Sequence, residues 1–85
     1  MKINICTPNK IHGTYGFEII DGLNLSSKIL DFLMQYKEFK PFKQGFSDKW
    51  LYVEFLNMNS EDDILKIGEK LMDHFHLDDS ILNIE

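Results

Sequence analysis

The apolar positions of this chain change period along its length, and the changes divide it into elements. Residues 2–6 alternate, with Ile3 and Ile5 on one side and Lys2, Asn4 and Cys6 on the other, which predicts a strand. Thr7, Pro8 and Asn9 signal a turn, and His12, Gly13, Thr14, Tyr15 and Gly16 a second irregular stretch. Residues 17–20 read as a short strand closed by Asp21 and Gly22, so the first twenty residues form a hairpin or a strand with a long loop. From residue 26 to residue 39 the period becomes helical: Leu25, Ile29, Phe32, Tyr36 and Phe39 recur at spacings of four, three, four and three. Asn24, Ser26 and Ser27 are the candidate N-caps. Pro41 ends the helix, because proline disfavours α geometry in the residue before it.

Two strands are predicted next, at residues 42–46 and 49–56. The pleat of the second puts Leu51, Val53 and Phe55 on one side and Trp50, Tyr52 and Glu54 on the other. A second helix starts after Ser60, a hydroxyl N-cap with a carboxylate three residues on, and acids in its first turn complement the helix dipole. Ile64, Ile67, Leu71 and Phe75 form its buried stripe. Gly68 lies within that stripe at a cost of about 1 kcal/mol relative to alanine, which predicts close approach to a neighbour. Asp78 and Asp79 make a turn before a terminal strand at 81–84.

These elements predict an α+β fold, with two helices packed on one face of an antiparallel sheet. Their order resembles the split βαβ, or ferredoxin-like, arrangement, with the N-terminal segment as an addition. That arrangement serves too many functions to imply one.

Eighty-five residues predict a single domain, and 44% apolar residues with seven Phe, three Tyr and one Trp supply enough bulk for a small core. One cysteine, Cys6, excludes an internal disulfide and points to a reducing, cytoplasmic compartment; in a strand, it reads as a small buried residue rather than a nucleophile. No apolar run approaches the roughly 18 residues that span a bilayer, and no secretory signal is visible at the N-terminus.

Charge adds the main functional clue. Residues 48–85 carry ten acids against three lysines, whereas residues 1–47 carry four acids against six lysines, and the chain has no arginine. A half this negative repels phosphate backbones and attracts basic protein surfaces. Glu61, Asp62 and Asp63 serve the helix N-terminus in any case, but Asp73, Asp78, Asp79 and Glu85 are not all explained that way. Trp50 and Tyr52, with Glu54 on the same strand face, form an aromatic pair beside a carboxylate, the composition of an interaction hot spot if that face is open. Tyr15, Gly16 and Phe17 resemble the glycine–aromatic strand of RNA-recognition domains, yet Glu18 follows them and the chain lacks a basic patch, so direct nucleic-acid binding is not expected. Lys37, Lys40 and Lys43 suit a helix C-terminus. His74 and His76 are two apart and diverge on a helix, and no zinc or calcium spacing occurs, so no metal or other cofactor is expected. No phosphate loop, nucleophile elbow or oriented histidine marks an enzyme.

The overall profile resembles that of inhibitors of nucleic-acid enzymes: immunity proteins against nuclease toxins, antitoxins and phage-encoded nuclease inhibitors. The expectation is therefore a non-catalytic acidic protein that binds and inhibits a basic toxin or nuclease. Trp50, Tyr52, Glu54, Glu61, Asp62, Asp63, Asp73, Asp78, Asp79 and Glu85 make up its partner-binding set. The alternative is a homo-oligomerising or small-ligand-binding module that uses the Trp50 and Tyr52 face.

Overall fold

In a computed structural model that describes residues 1–8 and 13–84, the chain is an α+β fold of two helices and a five-stranded mixed sheet. The elements are β1 (Lys2–Cys6), β2 (Tyr15–Ile20), α1 (Ser26–Met34), β3 (Pro41–Phe46), β4 (Trp50–Phe55), α2 (Glu61–Phe75) and β5 (Leu82–Ile84). Single 3-10 turns at Lys37–Phe39 and Asp79–Ile81 lead into β3 and β5. Residues 9–12 of the expected N-terminal loop lie outside the described residues.

The strand order is β3-β4-β2-β1-β5. β1 and β2 pair antiparallel, as do β2 with β4 and β3 with β4, but β1 and β5 pair parallel. The expected purely antiparallel sheet is thus corrected, and connectivity supplies the reason. β1 folds back on β2 as a hairpin and occupies the place beside it. β5, carried across by α2, then reaches only the far side of β1, and β1, β4 and β5 all run opposite to β2.

Register builds the core. Ile3, Ile19 and Leu51 stand in one row across β1, β2 and β4, and Ile5, Phe17 and Val53 in another. Each of these six is fully buried, in one cluster with Ile29 and Leu33 of α1 and Ile64, Ile67, Leu71 and Met72 of α2. Phe17 meets Phe55 edge to face, ring centroids 6.0 Å apart.

Two local expectations need correction. α1 ends at Met34 rather than at residue 39. Tyr36 leaves helical geometry, the chain makes its 3-10 turn, and Lys40 adopts a left-handed φ of 50° ahead of Pro41. Tyr36 and Phe39 still pack against the core, so their helix-like spacing recorded burial rather than helix. The cap of α1 is also neither Asn24, Ser26 nor Ser27. Asp21 does this work from the end of β2: its carboxylate accepts from the Leu23, Leu25 and Ser26 amides at 2.7, 2.6 and 2.7 Å and from the Ser26 hydroxyl at 2.7 Å. At α2 the N-cap is Ser60 as expected, but its side chain makes no capping hydrogen bond.

Gly68 sits in the buried stripe of α2 against Ile5, Phe17 and Leu82. A Cβ there would stand 3.4 Å from Ile5 Cδ1, an ordinary contact distance, and no glycine has positive φ. Gly68→Ala is therefore expected to stabilise the fold by about 0.5–1 kcal/mol through helix propensity. Urea denaturation checks this; a lower midpoint at unchanged slope means the helix has no room for the methyl.

Candidate functional site

The face of the sheet that alternates with the core residues is a grid of strand positions. Lys2, Ile20 and Trp50 form one row, Asn4, Glu18, Tyr52 and Gly45 the next, and Cys6, Gly16, Glu54 and Phe42 the third. On the β3 and β4 side the grid is aromatic. Trp50 and Tyr52 have centroids 6.4 Å apart at 58°, and the Trp50 indole lies over Gly45 so closely that a Cβ would enter the ring. The absence of a side chain at Gly45 is what lets the indole lie down.

A polar ladder crosses the other side of the grid. Trp50 Nε1 donates to Glu18 Oε2 at 3.1 Å, and Asn4 Nδ2 donates to Glu18 Oε1 at 3.1 Å. Thr14 Oγ1 donates to Glu54 Oε2. Asn4 and Cys6 are buried, Glu18, Tyr52 and Glu54 half-buried, and Ile20, Phe42 and Trp50 exposed. The face is therefore not uniformly open: it is apolar and accessible along Ile20, Trp50 and Phe42, and closed toward β1.

The expected partner-binding residues fall into separate groups. Trp50, Tyr52 and Glu54 share the grid, joined by Glu18. Glu61, Asp62 and Asp63 occupy the first turn of α2. Asp73 lies eleven residues beyond Asp62, about 16 Å along the helix. Asp62, Glu69 and Asp73 share the outward stripe of α2 with Lys66 and Lys70, and all five are exposed. Asp78 and Asp79 follow in the turn to β5, also exposed; Glu85 lies outside the described residues. Asp78 accepts from the Ser80 amide at 2.9 Å, and hydrogen bonds from the Ser80 amide and side chain hold its carboxyl below the ordinary aspartate value. Leu51, Val53 and Phe55 join the buried stripe of α2 in the core, while Trp50, Tyr52 and Glu54 alternate with them. The aromatic pair consequently does not sit among the α2 carboxylates.

Three features were missed from sequence. Glu18 and Gly45 matter only through cross-strand register, which no local pattern reveals. Phe42 and Phe46 look like core strand residues but are 49% and 43% exposed on the end strand. The third is an aromatic cluster between the helices. Phe32 packs on His74, Tyr36 and Phe75 at centroid distances of 4.9, 5.8 and 5.8 Å. Two open hollows of about 390 and 450 Å³ adjoin it and share Phe32, Gln35 and His74. Burial, followed by the charge of Glu38, raises the Tyr36 phenol above its ordinary value, so it stays protonated. His76 is the C-cap of α2 in the left-handed conformation, with φ 53°.

Among the described residues, no cluster of three or more His, Cys, Asp or Glu is placed to hold a metal, and no helix is long and apolar enough to cross a membrane. No family model matches the chain, and neither the curated proteins nor the solved structures contain a match to it.

Proposed function

We propose that this chain is a non-catalytic binding domain that docks onto a basic partner enzyme and inhibits it, in the manner of immunity proteins, antitoxins or phage-encoded nuclease inhibitors. The observation that carries this reading is the run of exposed carboxylates along α2 and its exit: Glu61, Asp62, Glu69, Asp73, Asp78 and Asp79, with only Lys66 and Lys70 among them. Carboxylates of that density speed encounter with a cationic cleft and compete for the places where phosphates would lie. Cys6 is the chain's single cysteine and is buried, which suits a reducing cytoplasm. In this reading both helices cover the Leu51, Val53 and Phe55 face of a split βαβ frame, and β1 is the added strand between β2 and β5. α2 then presents Asp62, Glu69 and Asp73 outward in one stripe, with Lys66 and Lys70 between them.

Capture with the tagged chain from its native cells tests the proposal. The expected result is a basic protein retained in low salt and released as salt rises. The combined Asp62→Lys, Glu69→Lys and Asp73→Lys variant should slow association at least about tenfold, while Trp50→Ala leaves it unchanged. Equal capture by the charge-reversed variant would sink the docking surface.

A second reading has its own support. Ile20, Trp50 and Phe42 expose 47%, 37% and 49% of their surface on the grid face, which suits a homo-oligomerising module. Sedimentation across concentration separates the two: a stable homodimer that Trp50→Ala dissociates favours this second reading.

A further inference from the structure

We propose that the outer edge of β3 is a docking strip for an extended acidic segment of a partner protein, which pairs with it as an added strand. β3 ends the sheet and pairs only with β4, so its far side faces no other strand among the described residues. At six residues, Pro41–Phe46 is long enough to template a partner strand.

Its side chains are placed to receive one. The register slips between Lys43 and Gly45, which sets Phe42 in line with Glu54 and Phe46 in line with Leu51. The two exposed rings therefore flank the edge on opposite faces of the sheet, and an incoming strand meets one on each side. Lys43 adds its ammonium 5.7 Å from the Phe46 ring centroid, so charge and apolar surface lie together.

Charge selects the occupant. Lys43 on this strand and Lys40 just before it are exposed, with Lys37 and Glu38 in the turn that leads into it, on a chain whose net charge is −5. The strip is the basic part of an acidic molecule and attracts carboxylates. A second copy of the chain fits poorly. Antiparallel self-pairing opposes the lysines of the two strips. A cationic surface of the kind proposed for α2 is repelled by the same lysines. The two contacts are thus independent, and failure of one leaves the other standing.

The test is a titration of the nitrogen-15-labelled full chain with a short capped peptide alternating glutamate and valine, and separately with its lysine–valine counterpart, followed by backbone amide shifts. The expected result is shifts concentrated at residues 42–46 with the glutamate peptide, and affinity at least about tenfold weaker for the lysine peptide. The Lys40→Glu, Lys43→Glu double variant, whose own spectrum reports its fold, should reverse that preference. No shift at millimolar peptide, shifts elsewhere, or equal response to both peptides overturns the proposal. A peptide-free dimer that protects the amides of residues 42–46 overturns it as well.

Discussion

Gly16→Ala is expected to lower the melting temperature by about 12–24 °C, a large loss for one methyl group. Gly16 is buried in β2 opposite Glu54 of β4. A Cβ there would stand 2.5 Å from the Val53 carbonyl oxygen and 3.3 Å from Glu54 Cα. Both are backbone atoms of the neighbouring strand, so no rotamer change relieves the contact. β2 must move away from β4, and the row of Ile5, Phe17 and Val53 loosens with it. Overpacking of this kind costs about 3 kcal/mol, and each kcal/mol is worth about 4–8 °C in a domain of this size. Gly68 is the control within the same molecule, since its added methyl meets only ordinary contacts. Calorimetry on both variants checks the pair; a Gly16→Ala protein as stable as the parent would mean that the β2–β4 spacing is wrong.

Asp21→Ala ranks next, at about 2–3 kcal/mol, because one carboxylate satisfies three amides and a hydroxyl at the start of α1. Burial alone pushes the Asp21 carboxyl upward, but the Ser26 hydroxyl and the Leu23, Ser26 and Leu25 amides outweigh it and hold the group below the ordinary 3.8. A carboxyl depressed in the folded state binds protons more readily once unfolded. Its contribution is therefore complete above the unfolded value and disappears as pH falls through the folded one, so the loss lies below about pH 4. Asp21→Asn keeps the shape, accepts through a single oxygen and removes the titration. The stability difference between parent and Asp21→Asn should thus be flat from neutral pH down to about 5 and shrink below 4. A difference that grows on acidification contradicts the cap.

The sequence made the elements readable where periodicity and local chemistry agree. β4 alternates strictly, and α2 combines an acidic first turn with a regular stripe; both were placed within a residue or so. α1 was overextended because Tyr36 and Phe39 keep helical spacing while packing from a 3-10 turn, and spacing alone does not distinguish the two. Its cap was misplaced because Asp21 acts from the preceding strand, across residues that carry more conventional capping side chains. The parallel β1–β5 pair depends on which strand reaches the space beside β2 first, a question of topology invisible to any local window. The site divides in the same way. Trp50, Tyr52 and Glu54 follow from the pleat of one strand, whereas Glu18 reaches Trp50 from a residue 32 positions away in sequence. The carboxylates were visible as composition, but their division between α2, its exit and β4 emerged only with the fold.

The proposed inhibition places the α2 carboxylates over the working surface of a basic enzyme. It is tested most directly by titrating the purified chain into the partner recovered by capture while following that partner's cleavage of a nucleic-acid substrate. Activity is expected to fall linearly and vanish at one chain per enzyme in low salt, with inhibition weakened by the α2 charge reversals and intact in Trp50→Ala. Full cleavage in the presence of saturating chain, or a recovered partner that is itself acidic, would contradict it.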